Sequence, residues 1–300
     1  MFKESRLIFY YTTSPTHMGA GDGLGTIDSP IQREVQTNYP LMAGSGIKGA
    51  IRHELSGRWG YSDDSKGAIS AIFGPDTSGS DFAGAVSFSD ANIALFPVRS
   101  IKNGYVYATS RESLARLKRS AEIAGVAVPW SIPSSNGALV ANSKLIKDNK
   151  VTLEQFEVEA KEDSDVKAIA SWISERTPDL IGQHFKEKIA SDFVVLDDRH
   201  FYHFVTNSTV VEPHVRIDDE TGTASDGGLF YVENLPSESL LFGIMMASDD
   251  RSKKSNMSAK EVVAKVEGDK NSPGINESVI QFGGDATYGR GLVAIRSVEE

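Results

Sequence analysis

Four segments of the chain combine residue types suited to holding phosphate or RNA. The first, Gly19–Glu34 (GAGDGLGTIDSPIQRE), sets glycines at 19, 21, 23 and 25 ahead of Asp28, Gln32 and Arg33. Such glycines let a backbone take positive φ or pass close to a ligand. No helix-forming pattern follows, so this is not a dinucleotide fingerprint, and no Gly-Lys-Ser/Thr triplet makes it a P-loop. Read alone, it is first of all a flexible loop. The second, Ala43–Glu54 (AGSGIKGAIRHE), opens a helix on Gly44-Ser45-Gly46, whose backbone N–H groups suit phosphate. Lys48 and Arg52 share a face there at i and i+4, which fits an RNA backbone or an ordinary solvated face equally well. The third, Gly283–Gly291 (GGDATYGRG), has Gly283, Gly284, Gly289, Gly291 and Arg290, either to wrap a phosphate backbone or to form a bulged hairpin. The fourth, HVRIDDETGTASDGGLFYVENLP, is a ribbon with Phe230 and Tyr231 that could reach RNA or a neighbouring subunit, or be a surface hairpin.

Other chemistries lack their residues. There is no cysteine, hence no disulfide or thiolate metal site. The six histidines show no tight zinc spacing; His200 and His203, read on a strand, fall on opposite faces. No Gly-x-Ser-x-Gly elbow is present. Net charge is −10, at first sight unfavourable for nucleic acid, but it is segregated. Residues 99–150 carry nine Lys/Arg against three Asp/Glu, whereas 151–300 carry 15 against 28. One face for phosphate and another for solvent or protein is the expected outcome. The N-terminal apolar run is too short and polar for a signal peptide, and no window approaches the roughly 20 apolar residues of a membrane span. A cytoplasmic protein without a membrane partner is expected.

These segments need a frame. Residues 6–13 (RLIFYYTT) read as an opening strand, followed by a long irregular stretch to Gly44. A helix capped by Ser45, with Ile47, Ala50, Ile51 and Leu55 inward, stops at Gly57. Short strands are expected at 85–88, 94–98 and 105–108. Thr109 and Glu112 make a capping box for a helix to Gly125 that turns Leu114, Leu117 and Ala121 inward. The middle, 126–192, should mix loops with helices at 151–160 and 164–175. Residues 193–217 and 227–247 read as a β-ribbon joined at Asp218–Gly222, and 250–275 as a polar insertion around one short helix. The order implies an α+β fold on a ferredoxin-like sheet, as a single domain spanning 1–300.

Taken together, IDSPIQRE (27–34), PLMAGSGIKGAIRHEL (40–55), IFGPDT (72–77), GAVSFSDA (84–91), LFYVENLP (229–236) and FGGDATYGRGL (282–292) resemble the RAMP superfamily of CRISPR subunits. Within it, the chain is most similar to the backbone subunit of the type III-B Cmr complex. The resemblance implies a ferredoxin-like (RRM-related) palm with helical insertions and a β-hairpin thumb, placed at about 193–236. It also implies copies stacked in a helical filament on a CRISPR guide RNA, with other Cmr subunits, and target RNA cut at regular intervals. The cleaving aspartate of the family corresponds to Asp28, with Mg²⁺ or another divalent metal required and Asp28 as its ligand. His17, Tyr231 and Glu233 fall where the family keeps residues near the site. Asp22 is the competing carboxylate. Gln32, Arg33, Gly44, Ser45, Gly46, Lys48, Arg52, Gly283, Gly284 and Arg290 are expected along the RNA. A non-cleaving scaffold and a metal-independent guide-processing RAMP endonuclease using a histidine remain the alternatives.

Overall fold

The computed structural model describes residues 2–23, 25–75, 82–134, 137–252, 255–269 and 272–299. Asp76 and Thr77 of the IFGPDT motif, Leu24 of the first glycine-rich segment, and residues 253, 254, 270 and 271 of the 250–275 segment lie outside them.

The chain opens with β1 (Glu4–Thr12), whose aromatic and aliphatic residues from Leu7 to Tyr11 are all buried. Alternation along the strand decides what each meets. Ile8 and Tyr10 join one apolar cluster, while Leu7, Phe9 and Tyr11 join another on the opposite face. After the loop come β2 (Leu41–Met42), α1 (Gly44–Trp59) and α2 (Asp63–Phe73). The stripe Ile47, Ile51 and Leu55 is fully buried in the first cluster, each side chain contributing about 1.5–3 kcal/mol. Helix α1 begins at Gly44, and its N-cap is Ala43, two residues before the expected Ser45 and without a side-chain cap hydrogen bond. Its first N–H, from Gly44, donates instead to Asp90 Oδ1 at 2.7 Å. It ends at Gly60, where φ of 78° stops it, and runs straight through Gly57.

Strands β3 (Val86–Phe88), β4 (Ala91–Ser100) and β5 (Gly104–Ser110) lead into α3 (Arg111–Ile123), which is capped by Ser110, one residue past the expected Thr109. Leu114, Leu117 and Ala121 pack on the second cluster. β6 (Ala138–Val140) precedes β7 (Lys150–Leu153) and β8 (Phe156–Glu162), a tight hairpin where a helix over 151–160 was expected. Val151 and Leu153 are buried two apart on β7, Val158 of β8 is buried opposite Val151, and Glu154 turns the chain at φ 51°. α4 (Ser164–Arg176) follows as expected, then α5 (Gln183–Ser191), β9 (Phe193–Leu196) and α6 (Asp198–Asn207).

The expected ribbon over 193–217 is therefore shorter. Its first part is a sheet strand, and 198–207 is a helix capped by Asp197 with Phe201, Phe204 and Val205 buried. Period 3.6 overrides the β propensity of its aromatics. His200 and His203 thus share a helix face, both edge-on to Phe156. The hairpin proper is β10 (Val210–Ile217) with β11 (Ala224–Asn234), a separate two-stranded sheet turning through Asp218–Gly222. Asp218 Oδ1 accepts from the N–H groups of Glu220 and Thr221 there. β12 (Leu240–Ala247) returns to the main sheet beside β1.

The segment after it is no mere insertion. α7 (Ala259–Glu267) has the Ser258/Glu261 capping box and buries Val262, Val263 and Val266 in the core. β13 (Ser278–Gln281), a 3₁₀ turn at Ala286–Tyr288 and β14 (Leu292–Val298) close the chain. The main sheet runs β13-β14-β1-β12-β4-β5-β9-β6-β8-β7, with β2 on β4 and β3 on β12. A single pairing of Ser100 with Leu153 joins β4 to β7, so that six strands form a barrel-like ring. The architecture is α+β. Among the described residues no helix is long and apolar enough to cross a membrane.

Candidate active site and RNA groove

The outer edge of β11, the side away from β10, collects the loop that follows β1. Ser29 pairs with it in parallel, its N–H donating to Tyr231 O at 3.0 Å and its carbonyl accepting from Glu233 N at 3.0 Å. Thr16 pairs with Leu235 in the opposite sense. Two chemically active side chains hang on this edge. Asp28 Oδ2 accepts from Tyr231 N at 2.7 Å, and His17 Nδ1 meets Glu233 O at 2.7 Å. A carbonyl can only accept, so Nδ1 is the donor in this contact and Nε2 faces away from it. The two anchor points are two residues apart, about 7 Å along a strand. A carboxylate and an imidazole are thus held on the same strand edge, anchored two residues apart. Asp28 is exposed to solvent.

Glu233 has a different place. Its side chain is 4% exposed. Oε1 takes Arg33 Nη2 at 2.5 Å and Thr209 Oγ1 at 2.7 Å, and Oε2 takes the N–H of Ile31 at 3.0 Å. Arg33 also donates to the carbonyls of Asn38 and Val205. With both oxygens occupied, Glu233 positions Asp28 by clamping the loop three residues downstream. Tyr231 contributes its backbone N–H to Asp28. Gln32 is a strut as well, donating to Gly19 O and accepting from Ala43 N, both at 3.0 Å. It thereby ties the loop to the start of α1. Glu34, paired with Arg116 of α3 at 2.6 Å, ends the clamp.

The glycines supply close approach. Gly283, at φ 76°, lies so near that a Cβ would fall 2.1 Å from His17 O, and a Cβ on Gly19 would fall 2.9 Å from His17 Nε2. Gly284 N donates to His17 O at 2.9 Å. The C-terminal turn, the first loop and α1 therefore converge, and between them runs a groove of about 610 Å³. Gly46, Gly49, Ala50 and His53 form its wall from α1, facing Gln32 and Gly283. Three segments widely separated in the sequence line one channel.

The expected cations stand beside this channel. Lys48 is half-buried and donates to Val86 O at 2.9 Å, and burial, helped by Arg52, lowers its pKa. It flanks the apolar stripe of α1 and does not stand opposite it. Arg52 lines an adjoining cavity of about 370 Å³ with Lys66 and Tyr61. Ser45 and Gly46 are exposed at the helix start, while Gly44 is buried and its N–H belongs to Asp90. Arg290 is paired with Glu212 of β10 at 2.5 Å and so braces the hairpin on the C-terminal turn. Asp22 is exposed in the turn where Gly23 N donates to Asp28 O.

A metal would find little from the chain itself. Asp28 offers one carboxylate with one oxygen already hydrogen-bonded, Glu233 none, and among the described residues no three His, Cys, Asp or Glu side chains could hold an ion. That fits Mg²⁺ only as a largely hydrated ion shared with RNA phosphates.

The family model described as the RAMP superfamily matches residues 9–294. The chain belongs to the RAMP superfamily. This RAMP chain is 36% identical over 295 residues to the CRISPR system Cmr endoribonuclease Cmr4 of Pyrococcus furiosus, covering 97% of this chain and 95% of that protein. It is 24% identical over 310 residues to the CRISPR system CMR subunit Cmr4 of Saccharolobus solfataricus, covering 96% and 95%. Among solved structures, oligomeric Cmr4 from Pyrococcus furiosus matches with a TM-score of 0.73 at 30% identity, covering 99% of both chains. A chain of the type III-B Cmr-beta complex bound to cognate target RNA shares the fold at TM-score 0.74 and 20% identity, covering 99% of this chain and 98% of that one.

Asp90, Thr209 and Glu212 were not singled out from the sequence. Asp90 lies in GAVSFSDA, which carried the resemblance but no assigned role. Thr209 and Glu212 act through contacts over long sequence separations and leave no local signal.

Proposed function

We propose that this protein is the guide-RNA-binding backbone subunit of a type III-B Cmr effector complex, and that it cuts complementary target RNA beside Asp28. The observation that carries the reading is the near full-length 36% identity to a Cmr endoribonuclease, in a chain whose Asp28 stands exposed on the hairpin edge. Copies stack along the guide with other Cmr subunits, and each sets one hairpin and one Asp28 against the target. The protein acts in the cytoplasm. We read β1-α1-β4-β12-α7-β14 as a ferredoxin-like βαββαβ palm, with β10–β11 as the thumb.

RNA carries its own nucleophile, so the protein has mainly to align a 2′-hydroxyl with the adjacent phosphate. In this reading Asp28 Oδ1 accepts the 2′-OH proton, and the Tyr231 N–H bond to Oδ2 supports it by fixing the carboxylate. The new 2′-O–P bond forms as the bond to the 5′-oxygen breaks, and that oxygen takes up a proton. Bound Mg²⁺, held by Asp28, water and phosphate, would supply charge neutralisation at the phosphoryl oxygens. The glycine-lined groove passes the guide backbone close to α1, with Ser45 and Gly46 offering helix N-terminal N–H groups.

One observation favours a second reading. His17, with Nδ1 anchored and Nε2 free, is placed as a histidine acid–base group, as a metal-independent RAMP endonuclease would use. The reconstituted complex, given guide and target, decides between them under EDTA. Loss of regularly spaced products on chelation, restored by Mg²⁺, is expected. Undiminished cutting in EDTA would transfer the chemistry to His17.

A further inference from the structure

The two faces of the β10–β11 hairpin differ. On one face His214 of β10 stands opposite Phe230 of β11, and their rings stack at 5.3 Å with planes 17° apart. Tyr288, from the 3₁₀ turn Ala286–Tyr288, joins the same group with its ring 6.1 Å from His214 and tilted by 36°. Tyr288 is 69% exposed and Phe230 39%. Rings packed for protein stability alone are normally buried on both faces, as Tyr10 and Phe282 are here. This group is braced from below: Arg290 and Glu212, two residues from Tyr288 and His214, lock the turn to the hairpin. Its neighbour in the chain is the residue whose N–H holds Asp28.

Resting on the function proposed above, we propose that Tyr288, supported by His214 and Phe230, is a stacking platform for one unpaired RNA base at the cut. Exposed aromatic rings are sequence-tolerant partners, because every base offers a π face. A guide-directed enzyme must accept any target sequence, which suits a stacking contact and not a hydrogen-bonding pocket. A base held on Tyr288 would lie beside His214 and Phe230, and Phe230 directly precedes the residue whose N–H holds Asp28. Tyr288 is thus a positioning residue, and Asp28 retains the chemistry.

The test uses the reconstituted complex with 2-aminopurine walked one position at a time through the target, and separately through the guide. In the wild type, paired positions are quenched by their neighbouring bases, and the unpaired position of each repeat is quenched by stacking on Tyr288. Tyr288→Ala restores that fluorescence and slows cutting about five- to a hundredfold, as loss of a base–aromatic contact does. Tyr288→Trp keeps both the quench and the rate, which a merely structural role for the ring would not require. A position that brightens in the Tyr288→Ala complex in the target arm assigns the base to the target strand, and in the guide arm to the guide. Tyr288→Ala with unchanged quenching at every position, or with an unchanged cutting rate, overturns the proposal. The fluorescence depends only on RNA binding. An Asp28→Ala complex that still cuts would therefore refute the assignment of catalysis without affecting this result.

Discussion

Glu233 is the strongest test of how the hairpin sets the loop that carries Asp28. Its carboxylate is buried, holds Arg33 at 2.5 Å, and accepts from Thr209 and from the N–H of Ile31. Glu233→Gln keeps an acceptor but leaves the Arg33 cation, itself only 15% exposed, without its counter-charge. Removing one partner of such a pair typically costs about 3–5 kcal/mol, since the other remains buried and charged. The amide retains part of the hydrogen bonding, so about 3 kcal/mol is expected for Glu233→Gln and up to about 5 kcal/mol for Glu233→Ala. The purified chain should show this in its denaturant midpoint. The cycle with Arg33→Met should give a coupling energy of about 1.5 kcal/mol or more. Amide exchange at Ile31 should quicken in the same variants, and target cutting should fall although Asp28 is intact. A cost below about 1 kcal/mol for Glu233→Ala, or additivity with Arg33→Met, would refute the clamp.

Other consequences follow from particular contacts. Gly283→Ala should lower thermal stability and cutting together, because its Cβ would meet His17 O at 2.1 Å in a backbone already at φ 76°; about 1–3 kcal/mol is the expected strain, read by thermal unfolding. Glu238 is half-buried, and burial raises its pKa against hydrogen bonds from Tyr11 and Tyr107 that lower it. A raised carboxyl pKa means the folded state keeps its proton longer than the unfolded one. Stability is therefore lost as pH rises from the unfolded value through the folded one. Glu238→Gln should be the more stable protein at neutral pH, with the difference closing below pH 4.5, as unfolding across a pH series will report.

How much of this was legible in the residues depended on the range of the interaction. Local patterns were faithful: β1, the apolar stripe of α1, the helix at 164–176 and the Asp218–Gly222 turn all follow from spacing over a few residues. Elements whose period competed with their propensity were not. Residues 198–207 are aromatic-rich yet helical, because Phe201, Phe204 and Val205 bury together. Residues 150–162 are a hairpin because Glu154 turns backward. The resemblance placed Asp28, His17, Tyr231 and Glu233 in one neighbourhood, and the edge of β11 gives that neighbourhood its geometry. The cationic residues were harder to assign. A sequence gives the charge of Lys48, Arg33 and Arg290 but not their partners, Val86 O, Glu233 and Glu212. Each ties neighbouring elements together, whereas the groove itself is lined by glycines together with Gln32, Ala50, His53, Glu54 and Gln281.

The central claim is that Asp28 cuts RNA, and it is tested most directly by target cleavage in the reconstituted complex, comparing wild type with Asp28→Ala on a normal target and on one bearing 2′-deoxy at the cut. Wild type should give regularly spaced products, Asp28→Ala should cut about 10²–10⁴ more slowly, the deoxy position should not be cut, and target binding should be unchanged throughout. Normal cutting by Asp28→Ala would contradict that claim.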